Sequence, residues 1–326
     1  MQKILKPNAG SFSEASALSE NPATQKPRGF VFYRARKTAA TLATTLAAAF
    51  AVVVAAAVIS ASGGAGGLCA APRGGASTDS VRKLSSDEAA QMWSEFSRAA
   101  IAGDYCMNFS LSHRPRKGEE TRLRGEIFGT KTPEGFDKTR IRIFGKPDAA
   151  NSGAPRECIA DYILVNDPNN PQVFKFADGK FSPLPRGEWN KPFADGIIYS
   201  PFDIMMPYKF WSSRYDGAGR IGQAVHYFLL TPAGSNSAAV RLALSREFSS
   251  PVQVQTLAAD GGSVKTLNLA SVKKIGSRWI MREIQLRDDK SRDKDILRFD
   301  AANFDDRLSP ETFLLPTPPK PKMRGI

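Results

Sequence analysis

Apolar and polar residues alternate at every second position in run after run between Thr121 and Phe299, and no other feature constrains this chain more. A strand points successive side chains to opposite faces and so has that period; a helix does not. In residues 121–127, Leu123 and Ile127 fall on one face, with Arg122, Arg124 and Glu126 on the other. In residues 138–144, Ile141 and Ile143 oppose Arg140 and Arg142. Residues 162–165, 173–176, 223–230, 240–244, 252–257, 264–269, 279–286 and 295–299 also read as strands. Asp178-Gly179 and Asp260-Gly261 sit between such runs, and Asp-Gly supplies the positive φ angles that a tight antiparallel hairpin needs. The expectation is a mainly antiparallel β fold with few helices, its charged face turned to water.

One clear helix precedes this pattern, at residues 85–102. Ser85 and Glu88 have capping-box spacing, and Ala89, Met92, Trp93, Phe96 and Ala100 then form one apolar stripe that Gly103 ends. A short helix is expected at 200–207, with Ser200 as its cap and Pro201 at its first position, followed by the aromatic run Tyr208, Phe210, Trp211. The cluster from Asn166 to Pro171 is a turn, and the proline-rich basic tail, 316–326, is expected to be extended or disordered.

The chain's beginning has a different composition. Residues 38–62 carry no charge and follow Arg34, Arg36 and Lys37; small residues follow from Ser60 to Gly67. That is the order of a secretory signal, and the run is also long enough to span a bilayer as an anchor. Residues 1–37 read as disordered or as an over-long start, 38–71 as signal peptide or signal anchor, and 84–315 as the folded domain. Cys69 lies in a loose likeness of a lipoprotein cleavage site. The expected location is the periplasm, free or membrane-anchored.

Formal net charge is +13. This favours anionic partners or simply keeps the surface self-repelling. Export argues against nucleic acid among those partners. Of chemistry there is little sign. Gly217, Gly219 and Gly222 match a dinucleotide fingerprint but lead into a strand pattern rather than a helix, and so read as a loop. His113 and His226 are the only 2 histidines, without zinc spacing or a nucleophile elbow. Asp288, Asp289, Asp293 and Asp295 alternate with Lys and Arg as a solvated loop does. Cys106 and Cys158 are either a disulfide or two buried thiols. No enzyme, metal or cofactor is expected. What remains is apolar: Trp93, Phe96, Ile204, Met205, Met206, Phe210 and Trp211 either fill a core or line a space that takes acyl chains.

The order of elements resembles the outer-membrane lipoprotein-sorting, LolA/LolB-like superfamily. The likeness rests on Asn166-Asp167, Asp178-Gly179-Lys180, the Ser200 to Ile204 segment, and Gly222 with the strand Tyr227 to Pro232. Asp260 to Leu267, Val272 to Ile275 and Leu308 to Phe313 complete it. It covers most of 84–315. It implies a curved, half-open β-barrel with a helix packed on its concave face. It also implies carriage or receipt of a lipid or acylated lipoprotein, at a membrane surface or within an envelope transport complex. The carriers' functional arginine has no local motif to match here, so no residue is carried over. The alternative is an envelope interaction module without a ligand cavity.

Overall fold

A computed structural model describes residues 81–146, 156–275 and 278–326. The expected N-terminal region, residues 1–37, and the expected signal or anchor, residues 38–71 with Cys69, lie outside them. Among the described residues no helix is long and apolar enough to cross a membrane.

The alternating runs form one antiparallel sheet. Strands β1 (Tyr105–Arg114), β2 (Thr121–Lys131), β3 (Asp137–Phe144), β4 (Cys158–Asn166), β5 (Gln172–Ala177) and β6 (Lys180–Pro183) make a first meander. The second comprises β7 (Ser212–Ile221), β8 (Gln223–Thr231), β9 (Val240–Ser245), β10 (Pro251–Leu257), β11 (Ser263–Ile275), β12 (Arg278–Asp288) and β13 (Lys294–Asn303). The order is β6-β5-β4-β3-β2-β1-β13-β12-β11-β10-β9-β8-β7, with the two-residue β14 (Arg324–Gly325) added on β13. Strands β6 and β7 are the edges and do not pair, so the half-open barrel implied by resemblance is realised as an open sheet that is not strongly curled.

Two details of β2 let its neighbour lie close. Gly125 stands opposite Phe109 and Gly129 opposite Tyr105. A Cβ at Gly125 would sit 2.1 Å from the Phe109 ring, and one at Gly129 1.9 Å from the Tyr105 ring. Both rings therefore occupy the space that a side chain at either glycine would need.

Helix α1 (Ser86–Arg98) has the expected capping box, Ser85 with Glu88. It stops short of residue 102 and buries Ala89, Met92 and Phe96. Helix α2 (Pro201–Met205) is capped by Ser200 and Asp203 and ends at Met206, whose φ of 51° is left-handed. Both helices cover one face of the sheet, called inner here, where Met107, Phe109, Leu111, Ile127, Ile141, Leu242, Leu286 and Phe299 form the main core.

Several expectations are corrected. The Gly217–Gly222 stretch is not a loop: Gly217 and Gly219 lie in β7, and Gly222 turns the hairpin into β8. The charged face of β3 does not meet water. Arg140 is 0% exposed and Arg142 7%, beside Glu126 and Asp161. The C-terminal tail covers them. Just before it, the 3₁₀ turn Pro310–Phe313 packs Phe313 against Cys106, Phe128 and Ile163; the tail itself is extended but not free, with Lys320 paired to Glu126 at 3.0 Å and β14 added to β13. Cys106 and Cys158 are free thiols, on β1 and β4. Two strands lie between them, a separation of at least ~14 Å at the usual strand spacing, beyond the ~7 Å Cα limit of a disulfide.

Candidate functional site

The connection between the two meanders, residues 184–211, lies on the inner face. Trp189 Nε1 donates to the Leu184 carbonyl at 3.0 Å, and Phe202 N donates to the Trp189 carbonyl at 2.9 Å, so the segment folds back on itself. The cover is pinned to four separate elements by polar contacts. Asn166 of β4 donates through Nδ2 to the Met205 carbonyl at 2.8 Å. Asp295 of β13 accepts from the backbone N–H groups of Ile198 at 2.6 Å and Tyr199 at 3.1 Å. Lys265 of β11 donates to Asp203 at 3.1 Å and to the Ile198 carbonyl at 3.3 Å. Lys209 donates from within the cover to the Ala99 carbonyl, just past α1, at 2.7 Å.

Two of these pins carry unusual electrostatics. Burial pushes the Lys209 ammonium down to about 8, because the charged form loses its water. Burial also raises the Asp295 carboxyl above its ordinary value, against the backbone N–H of Ile198 and the His113 ring, which lower it. His113 Nδ1 lies 2.7 Å from Asp295. The reading of Asp295 as part of a solvated loop is thus corrected: it is 0% exposed and anchors the cover. His226 is also buried, its Nδ1 3.1 Å from the Tyr215 hydroxyl, which accepts in turn from Leu84 N.

Six of the seven residues singled out from the sequence belong to the main core cluster, and two of them, Ile204 and Met206, line its cavity. Phe96, Ile204, Met205 and Met206 are buried in the main core, and Trp93 and Trp211 pack partly buried against it. Trp93 stacks at 5.4 Å from Phe96 and 5.8 Å from Phe228; Trp211 lies 5.9 Å from Phe202. Phe210 is apart from them, 37% exposed. Between the cover and the sheet lies a cavity of about 20 Å³, lined by Ile204 and Met206 above and by Leu267, Leu269, Met281 and Ile284 below. Sequence reading missed those last four. For Leu267 and Leu269 the signal was present, since they take alternate positions of β11; Met281 and Ile284 are three apart and reach one face only through the register shifts between them, which no period reveals.

Among the described residues no group of three or more His, Cys, Asp or Glu is placed to hold a metal. Chemically, the inner face offers apolar contact under a polar-pinned cover.

No family model matches the chain, and no curated protein is similar to it in sequence. Solved structures are similar in fold. A domain described as an outer membrane lipoprotein-sorting protein from Vibrio parahaemolyticus superposes with a TM-score of 0.53 at 14% identity, over 65% of this chain and 89% of that one. A DUF1329 family protein from Desulfovibrio piger gives 0.56 at 12% identity, over 68% and 94%. A LolA superfamily protein from Nitrosomonas europaea gives 0.51 at 12% identity, over 69% and 96%. The chain therefore has the fold of the LolA superfamily and of outer membrane lipoprotein-sorting domains.

Proposed function

We propose that this protein holds acyl chains, of a lipid or an acylated lipoprotein, between the inner face of its sheet and the cover formed by residues 184–211. It would do so in the periplasm, either free or tethered by residues 38–62. Trp93, Phe96, Ile204, Met205, Met206 and Trp211 would line the opened space, with Phe210 at its rim. The ligand class is taken from the lipoprotein-sorting domain whose fold the chain shares.

The observation that carries this reading is the apolar cavity beneath a cover held by apolar packing and discrete polar pins rather than by a strand ladder. At about 20 Å³ the cavity has room for about one water, so an acyl chain enters only when the cover lifts. Burying a chain is worth ~0.8 kcal/mol per CH₂ group, enough over a dozen groups to offset the loss of several such pins.

The test is lipid mass spectrometry on the purified protein, with uptake of a fluorescent fatty acid as a second measure. Co-purifying acyl species and saturable uptake support the reading; clean protein with no uptake sinks it. The small cavity favours a second reading, an envelope interaction module whose inner face is simply a packed core, and that reading predicts the clean result.

A further inference from the structure

The hairpin of β11 and β12 outruns its neighbours. Strand β10 stays with β11 only as far as Asn268, opposite Gln253. Strand β13 stays with β12 only as far as Glu283, opposite Arg298. Beyond those points the two strands continue to pair with each other, through Val272 with Met281 and Lys274 with Trp279. The result is a two-stranded ribbon whose outer edges pair with no other strand among the described residues.

Its charge is of one sign. No Asp or Glu occurs from Val264 to Arg282, while Lys273, Lys274, Arg278 and Arg282 stand on the ribbon. Lys273, Lys274 and Arg282 are exposed, and among the described residues none of them forms an ion pair. The nearest carboxylate in the chain, Glu283, is taken by Arg298 at 2.6 Å and by Gln285 at 3.1 Å. By this pairing Val272, 51% exposed, and the half-buried Trp279 share a face with Lys274, while Lys273 takes the other face. An exposed apolar group and a half-buried aromatic one on a strand pair whose only charges are cations match the interfacial layer of a bilayer with anionic headgroups.

The ribbon is also continuous with the candidate site. Leu269 and Met281, at its base, line the cavity under the cover. We infer that this ribbon docks the protein on an anionic bilayer, with the apolar cavity wall behind it. The contact stands on the charge and pairing of the ribbon; its use in passing acyl chains rests on the function proposed above. The competing explanation is that the lysines merely guard unpaired strand edges against other strands. A guard has no reason to respond to lipid.

Amide hydrogen exchange on the full chain tests this locally, independently of any membrane tether elsewhere. Residues 270–275 and 278–282 are followed with phosphatidylcholine vesicles and with vesicles containing one third phosphatidylglycerol. The expected result is at least fivefold slower exchange in these amides with the anionic vesicles alone, reversed by high salt. The triple change Lys273→Gln, Lys274→Gln and Arg282→Gln is expected to abolish the slowing while leaving the circular dichroism spectrum unchanged. Exchange indifferent to the anionic lipid, or slowed equally in the triple variant, overturns the inference. Equal slowing by duplex DNA at the same ionic strength overturns the assignment to a bilayer. Fatty-acid uptake is read in parallel: its loss with ribbon protection intact removes the acyl-binding reading and leaves the docking surface standing.

Discussion

Arg140 grips Asp161 through two parallel hydrogen bonds, Nε to Oδ1 at 2.9 Å and Nη2 to Oδ2 at 2.6 Å, both side chains being almost wholly buried. The remaining guanidinium nitrogen donates to the carbonyls of Thr312 at 2.6 Å and Leu315 at 2.7 Å. One arginine thus joins β3, β4 and the C-terminal segment. Arg142 extends the network to Glu126 at 3.2 Å and to the Pro316 carbonyl at 2.9 Å.

Removing one partner of such a pair leaves a buried charge uncompensated, which costs ~3–5 kcal/mol. Arg140→Met is therefore expected to lower the stability by that amount and to open the segment after Leu308 to protease. Urea denaturation and limited proteolysis check this. A loss below ~1 kcal/mol with an uncut C-terminus contradicts the assigned role of Arg140.

Lys209 predicts a pH dependence with a definite sign. Its folded-state pKa is lowered to about 8 from 10.5. Between those values the unfolded chain holds the proton and the folded chain does not, so stability attributable to Lys209 rises with pH across that window. The full rise is on the order of 3 kcal/mol. Lys209→Met removes the titrating group, so the parent is expected to gain unfolding free energy relative to the variant as pH goes from 8 to 10. A difference that stays flat over that range contradicts a lowered pKa.

The two histidines separate. His113 is the side-chain partner of buried Asp295, which holds the cover through two backbone N–H groups. His113→Ala leaves that carboxylate short of a partner, at a cost of ~1–3 kcal/mol. His226 has a buried Nε2 with no hydrogen-bond partner among the described residues, so His226→Phe gives up the Tyr215 contact and is expected to cost less. Urea midpoints of the two variants decide it; a larger loss for His226→Phe reverses the assignment.

What was legible in the sequence, and what was not, follows from range. Strand periods, the Ser85–Glu88 box and the Ser200–Pro201 start are written in neighbouring residues, and they recur in the structure. Strand β1 was legible but missed: Met107, Phe109 and Leu111 alternate with Asn108, Ser110 and Ser112. Strand β7 was not legible, because an edge strand carrying Gly217 and Gly219 has too few apolar positions to show a period. The charged face of β3 looked solvated because alternation reports only which face a residue takes. It cannot report that a segment some 170 positions away will cover that face, as the Arg140 bond to Thr312 shows. Asp295 was misjudged for the same reason, its partners Ile198 and Tyr199 being 97 and 96 positions distant. The apolar cluster was found from Trp93, Phe96 and Ile204 to Met206, yet whether such a cluster is core or cavity is a matter of volume, which composition does not contain.

Substitution of Met206 decides that question. Its side chain, 5% exposed, forms part of the wall of the cavity of about 20 Å³. Met206→Ala keeps the left-handed backbone no worse placed, since neither residue is glycine. It enlarges the space directly over Leu269 and Met281. Truncating a buried methionine costs ~2–5 kcal/mol, a transfer loss plus the cavity left behind. Both readings of the inner face predict that loss. They differ in what a ligand then does. If the space admits acyl chains, oleate binds the folded state alone and returns ~2.7 kcal/mol at a hundred times its dissociation constant. The melting temperature of Met206→Ala is then expected to rise steeply with oleate concentration, and more than that of the parent, because the cover lifts at lower cost once the Met206 side chain no longer packs beneath it. If the inner face is only a packed core, the variant is destabilised and oleate restores nothing at any concentration. Thermal unfolding of parent and variant across an oleate titration distinguishes the two, and a flat titration for both proteins removes acyl binding from this site.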